Sequence, residues 1–218
     1  MSTLLNRLER DVLEAFFLLK ESESFVLTGG AALAEFHLQH RLSHDLELFT
    51  LDEKAFAAAG LRLPELAEKI DAQIKPIRSL VTLNQSVYVR EGAEVKVDLV
   101  RDAGPTFGQP HRVGSVRVDS LENIGANKIL ALFGRAAARD YIDLYLILHE
   151  GNFNFQQLLD LAKKKDPGLQ EFYLAGWLKQ QTPKLQTPPE MVRPVSLEGV
   201  KGFFLEIADK LMGGLKPE

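Results

Sequence analysis

Apolar residues recur at helical spacing from the first turns of the chain. Leu4, Leu5, Leu8, Val12, Leu13, Phe16, Phe17 and Leu19 form one stripe with charged residues opposite, which predicts an amphipathic helix over residues 3–20. The period then changes. Residues 25–28 are a short apolar run that stops at Gly29-Gly30, the pattern of a strand broken by glycines. Residues 31–40 return to helical spacing. Residues 44–50 alternate polar and apolar, so this predicted strand carries Asp45 and Glu47 on one face. Helices are expected over residues 52–59 and 64–73, the second with Pro64 in its first turn. Three β-type runs follow over 77–83, 86–90 and 94–100, with turn signals at Asn84-Gln85 and Glu91-Gly92, so a meander is expected. Residues 101–112 read as a loop and 116–118 as a last short strand.

From residue 120 the pattern is helical, over 121–133, 137–149, 155–165, 169–180 and 197–212, with a proline-rich linker at 182–194. The expected fold class is α+β. A mixed β-sheet with flanking helices occupies residues 1–119, and a helical C-terminal lobe, packed on that core, occupies residues 120–218.

Composition narrows the classes of function. At 218 residues and 45% hydrophobic content the chain has enough apolar side chains for a sizeable core. Net charge is −4, with the acidic excess in the N-terminal half, so no global basic field draws in nucleic acid. A polyanionic substrate is therefore held by local cations or through bound metal. Cysteine is absent, which excludes disulfides, thiolate zinc sites and cysteine nucleophiles. No apolar signal core opens the chain and no apolar run reaches membrane-spanning length. A cytoplasmic protein without a membrane partner is expected.

The chemistry concentrates in one stretch. Two carboxylates at i and i+2 on a strand otherwise apolar repel each other unless a cation lies between them. A third acid, Asp98, lies within Val95-Lys96-Val97-Asp98-Leu99-Val100, apolar on both sides of it, and a carboxylate in such a strand needs a partner or a metal. If the two strands are neighbours, Asp45, Glu47 and Asp98 converge as hard oxygen ligands suited to magnesium. Two such ions can clamp an in-line displacement at phosphorus. Gly29-Gly30 lets the backbone approach a phosphate closely at the start of a helix. Arg41 and Ser43, just before the acids, are placed to touch a triphosphate. No lysine follows the glycines as in a Walker loop, and there is no dinucleotide fingerprint.

A glycine pair, an acid-x-acid pair and a later third acid resemble the signature of the nucleotidyltransferase superfamily that includes DNA polymerase β. More narrowly, Gly29-Gly30-Ala31-Ala32-Leu33 with Arg41-Leu42-Ser43-His44-Asp45-Leu46-Glu47-Leu48-Phe49 resembles the AbiEii/AbiGii-type family, many of whose members are toxins of toxin–antitoxin pairs. Lys128, Arg135, Arg139-Asp140 and Asp143-Leu144 resemble its second motif, a lysine followed by an Arg-Asp-x-x-Asp helix. Met191-Val192-Arg193-Pro194 and Val200-Lys201-Gly202-Phe203-Phe204 resemble short bacterial members, and the likeness spans about residues 25–210. One departure is Glu47, where many of these toxins have aspartate.

The resemblance implies a nucleotidyltransferase-type sheet and a magnesium-dependent transfer of a nucleoside monophosphate from an NTP to an acceptor hydroxyl. Asp45 and Glu47 would hold two ions, Asp98 would help deprotonate the acceptor, and Lys128 would serve both catalysis and the triphosphate. Gly29, Gly30, Arg41, Ser43, Arg135 and Asp140 complete the expected nucleotide site. The implied acceptor is a tRNA 3′ end and the implied partner a cognate antitoxin protein. Transfer to a small molecule or protein, and a non-catalytic nucleotide- or partner-binding role, remain alternatives.

Other features have plainer readings. His37, His40 and His44 lack a complete ligand set and read as surface histidines. Lys163-Lys164-Lys165 ends a predicted helix, where cations complement the dipole. Asp140 and Asp143, at i and i+3, read equally well as structural ion-pair partners.

Overall fold

Asn6 opens the first helix. In the computed structural model, which describes residues 3–214, its side chain accepts the Glu9 backbone N–H while the Glu9 carboxylate accepts that of Asn6. This reciprocal cap satisfies two donors that the first turn leaves free. Helix α1 (Arg7–Phe17) is therefore shorter at both ends than the apolar stripe, and a 3₁₀ turn follows at Lys20–Ser24. Residues 1, 2 and 215–218, the outer ends of the two expected regions, lie outside the described residues.

The chain continues through β1 (Val26–Thr28), α2 (Gly29–Ala32), which runs on as a π-helical stretch over Leu33–Leu38, and β2 (Asp45–Thr50). Then come α3 (Glu53–Lys69), the strands β3 (Gln73–Leu80), β4 (Leu83–Arg90), β5 (Ala93–Arg101), β6 (His111–Val113) and β7 (Val116–Val118). The seven strands form one mixed sheet in the order β3-β4-β5-β2-β1-β7-β6. The pairs β2/β5 and β1/β7 are parallel and the others antiparallel. Leu8, Val12, Leu13 and Phe16 of α1 and Phe56, Ala59, Leu63 and Leu66 of α3 are buried, as are Leu46, Leu48, Tyr88, Val95, Val97 and Leu99 from the sheet. These two helices pack on the central strands, so alternate residues of β2 and β5 are committed to the core and those between them point away. The Arg90 guanidinium fastens the layers, donating to Asp11 Oδ2 at 2.6 Å and to the Ile70 carbonyl at 2.8 Å.

Three expectations needed correction. The two helices expected at 52–59 and 64–73 are one, α3, with Pro64 inside it. Proline costs about 3 kcal/mol in a helix interior, partly by crowding the carbonyl four residues back. Here that residue is Gly60, and the buried face on either side continues at helical spacing, so core packing outweighs the break. The first turn of the meander falls at residues 81–82, and Asn84-Gln85 lie within β4, where Asn84 Oδ1 accepts from Ser79 Oγ at 2.8 Å. The expected loop over 101–112 also ends in β6. The second turn is where the sequence puts it: Glu91 and Gly92 both have positive φ, +52° and +81°, as a two-residue hairpin turn of this twist requires. β3 is the outermost strand on its side, and its register shifts between Pro76 and Arg78.

The later residues fold as α4 (Leu121–Gly134), α5 (Ala138–Glu150), α6 (Phe155–Lys165), α7 (Glu171–Gln181) and α8 (Leu197–Gly213). Helix α4 packs on α5 and α6, and α8 on α5 and α7. Gly125 makes the α4/α6 approach possible, since a Cβ there would lie 2.8 Å from Leu158 Cδ1. The Tyr141 and Phe204 rings meet edge to face at 4.9 Å, and Trp177 Nε1 donates to the Leu132 carbonyl at 2.6 Å. The chain divides into two compact units, Met1–Gly104 with Gln109–Ser120, and Pro105–Gly108 with Leu121–Glu218. No helix among the described residues is long and apolar enough to cross a membrane.

Candidate active site

The half-exposed face of β2 carries Asp45 and Glu47, because Leu46 between them and Leu48 after them are fully buried. Strand β5 runs parallel beside it with Lys96 level with Asp45 and Asp98 level with Glu47. On the other side of β5, Gln85 of β4 is level with Asp98. One sheet face thus gathers three acids, a lysine and a glutamine. Asp98 Oδ2 accepts from Lys96 Nζ at 2.8 Å, and its Oδ1 from Gln85 Nε2 at 3.2 Å. No hydrogen bond or ion pair engages the Asp45 carboxylate among the described residues.

The glycine pair lies against Glu47. Gly29 has φ +66°, and a Cβ on it would fall 1.5 Å from Glu47 Oε2. The Gly30 N–H donates to that same oxygen at 3.3 Å. A Cβ on Gly30 would lie 2.6 Å from Arg41 Nη2 and 2.8 Å from Ser43 Oγ. Of the expected residues, Gly29, Gly30, Arg41, Ser43 and Glu47 therefore share one small cradle. Arg41 is buried, and its Nη1 donates to the Leu42 carbonyl at 2.8 Å. Asp119 steadies the turn from below, accepting from Thr28 Oγ1 at 2.6 Å through Oδ2 and from the Ser120 N–H at 2.8 Å through Oδ1. Gly29→Ala is expected to cost about 1–2 kcal/mol from the left-handed backbone alone and to displace the Glu47 carboxylate. Urea unfolding measures the first effect, and transfer activity the second.

By donor chemistry the acids fit a hard divalent cation, and the cradle fits an anion of phosphate type. The side chains are held otherwise. Among the described residues no group of three or more His, Asp or Glu is arranged to hold a metal ion, because Glu47 leans onto the Gly30 N–H and Asp98 onto Lys96. A rotation of Glu47 and a release of Asp98 from Lys96 would free both carboxylates as ligands. His37 is engaged elsewhere, with Nε2 at 3.0 Å from the Asp119 carbonyl and its ring edge-on to His111. His44 Nδ1 lies 3.5 Å from the buried Glu9 carboxylate.

The remaining expected residues lie in the helical unit. Lys128 of α4 is buried, with Nζ 2.8 Å from Asp140 Oδ1 and 2.6 Å from Asp143 Oδ2. Arg135 Nε reaches Asp140 Oδ2 at 2.8 Å while its own side chain is half exposed. Helix α5 presents Asp140 and Asp143 one turn apart toward α4. Burial works against the Lys128 charge, but the Asp143 and Asp140 carboxylates outweigh it and hold the ammonium above its ordinary pKa. Burial likewise opposes ionisation of Asp140, yet Lys128 and Arg135 draw its pKa below the usual carboxylate value. Lys128, Asp140 and Asp143 thus form a buried cluster that the half-exposed Arg135 closes at its edge, two cations against two anions.

Lys96, Gln85 and Asp119 were not anticipated. The signal for Lys96 was present, since it stands at i−2 from Asp98 and so shares its face. Gln85, turn-like in sequence, lies within β4.

A mixed sheet with a glycine-pair turn leading to acids on adjacent strands is the architecture of a nucleotidyltransferase. The family described as nucleotidyl transferase AbiEii toxin, type IV toxin–antitoxin system, matches residues 11–210, and the chain belongs to that family and is a nucleotidyltransferase. An uncharacterised protein of Aquifex aeolicus (strain VF5) is 25% identical over 167 residues, 74% of this chain and 75% of the other. Two solved structures share the fold. A candidate nucleotidyltransferase of H. pylori has a TM-score of 0.61 at 17% identity, covering 97% of this chain and 96% of that one. MenT4, a nucleotidyltransferase toxin of Mycobacterium tuberculosis H37Rv, has a TM-score of 0.56 at 14% identity, covering 93% and 82%.

Proposed function

We propose that this protein is a magnesium-dependent nucleotidyltransferase that moves a nucleoside monophosphate from an NTP to the 3′ end of a tRNA, as the toxin of a pair with a cognate antitoxin protein. The observation that carries the chemistry is the level placement of Glu47 with Asp98, beside Asp45 and against the Gly29-Gly30 cradle. The acceptor and the antitoxin rest on family membership.

In this reading Asp45, Glu47 and Asp98 would hold divalent ions, which when bound polarise the α-phosphate and neutralise the leaving pyrophosphate. The chain's own residues do the rest. The Gly30 N–H, Ser43 and Arg41 receive phosphate oxygens where the Glu47 carboxylate now lies. Asp98, level with Glu47, accepts the acceptor hydroxyl proton. The freed oxygen bonds to the α-phosphorus as the bond from that phosphorus to the bridging oxygen breaks, and pyrophosphate departs. Lys128, Arg135 and Asp140 are engaged with one another and with Asp143 within the helical unit, where they tie α4 to α5. The net charge of −4 neither draws in RNA nor bars it, since an RNA end needs only local contacts.

Incubating the protein with each labelled NTP, Mg²⁺ and total tRNA tests the proposal. Label should enter the tRNA with at least one nucleotide and vanish with EDTA. Label in protein or small-molecule fractions alone would overturn the tRNA acceptor, and no transfer from any nucleotide to any acceptor would overturn the reaction.

A further inference from the structure

Lys96 has no role in the chemistry above, yet it holds one of the three acids. Its ammonium lies 2.8 Å from Asp98 Oδ2, and β5 sets it level with Asp45 of β2. About a third of its side chain is exposed, against an eighth of Asp98. The cation thus lies at the open side of a carboxylate that is mostly enclosed. Glu47 shows the complementary arrangement. Its carboxylate rests on the Gly30 N–H, in space that a Cβ on Gly29 would fill. In the free protein an internal cation occupies the third acid, and an internal anion occupies the cradle.

We propose that Lys96 is a positioning residue that couples metal binding to nucleotide binding. This rests on the nucleotidyltransferase reading of the same face. A divalent ion on Asp98 competes with the Lys96 ammonium for the same carboxylate charge, because the two cations repel across it. An ion arriving alone therefore binds at the expense of the Lys96 contact, and the loosened ammonium has only water and the neighbouring acids to face. An ion arriving with a triphosphate evicts it beside a new polyanion. The flexible four-carbon stem carries the ammonium over to that phosphate. Displaced Glu47 at the same time leaves the Gly30 N–H for the nucleotide and turns to the ion. One exchange of partners serves both ligands, so each raises affinity for the other. The coupling keeps the metal-free acids quiet and the metal off the site until substrate is present.

The test needs no turnover. Mn²⁺ binding to the full chain is measured by electron paramagnetic resonance, with and without a non-hydrolysable NTP analogue, for wild type, Lys96→Met and Lys96→Arg. Lys96→Met should bind Mn²⁺ alone about tenfold more tightly, and the gain in Mn²⁺ affinity on adding the analogue should shrink at least tenfold. In the transfer assay its KM for NTP should rise about tenfold with a smaller change in kcat, and Lys96→Arg should recover most of the coupling. Lys96→Gln repeats the measurement should the methionine variant fold poorly. Unchanged Mn²⁺ binding and unchanged coupling in Lys96→Met would overturn the proposal while leaving the transferase reading intact. A wild-type protein that transfers nothing but still shows the exchange would overturn the reading of the reaction and leave the role of Lys96 standing.

Discussion

Replacing Asp45 with asparagine is expected to lower nucleotidyl transfer by about 10³-fold or more, roughly 4 kcal/mol of transition-state stabilisation, and to leave the fold unchanged. The two halves of that expectation have separate causes. Asp45 lies on the half-exposed face of β2, and no described residue bonds to its carboxylate. Its removal therefore breaks nothing in the free protein and lessens repulsion with Glu47 two residues on. Thermal unfolding should occur at the wild-type temperature or slightly above it. Transfer should nonetheless collapse, because one of the three carboxylates proposed to hold divalent ions at the reacting phosphate would be gone. Steady-state kinetics and a melting curve on the same preparation make the comparison. Full activity in Asp45→Asn would defeat the assignment of this face as the reaction centre.

Lys128→Met should do the reverse and strike stability first. Removing the ammonium leaves Asp143 without its 2.6 Å partner and Asp140 with Arg135 alone, both acids in the interior of the helical unit. Breaking a buried pair in this way costs about 3–5 kcal/mol, enough to lower Tm by about 10 °C or more. Pairing it with Asp143→Asn should recover part of the loss, since one buried negative charge goes too. The pH dependence follows from the directions of the shifts. Asp140 is held below its unfolded pKa of about 3.9, so its contribution is present above that pH and disappears as pH falls through the folded value. Lys128 is held above its unfolded pKa of about 10.4, so its contribution is present below that pH and disappears as pH rises through the folded value. Melting temperatures from pH 2 to 11 should fall at both ends for wild type, and fall less steeply for Lys128→Met. A loss under about 1 kcal/mol would contradict the buried-cluster account.

The face bearing Asp45 and Glu47 was legible because alternation is a short-range property: Leu46 and Leu48 must be buried, so their neighbours cannot be. The family likeness carried by the glycine pair and the acids led to the right superfamily for the same reason, since those residues lie within one local stretch. The α3 helix was misread as two because Gly60 and Pro64 are local breakers, while what joins the halves is burial against β2 and β5, which sequence spacing does not display. The hairpin turn was displaced because Asn84-Gln85 are turn-like in isolation, yet Asn84 finds its partner in Ser79 across the strand. The Lys96 contact with Asp98 needed only the strand period to be seen. The enclosure of Lys128 was not legible, since a lysine on a helix gives no sign of two acids from the next helix closing over it.

The outer edge of the sheet bears on how this protein behaves when concentrated. An edge strand offers backbone donors and acceptors to any passing strand, and a long regular one is a template for stacking copy upon copy. In β3, Pro76 withholds one donor and the register break between Pro76 and Arg78 interrupts the repeat. Lys75 and Arg78 would also confront their own counterparts if two copies approached edge to edge. The β3 edge of the sheet is thus guarded against fibre growth.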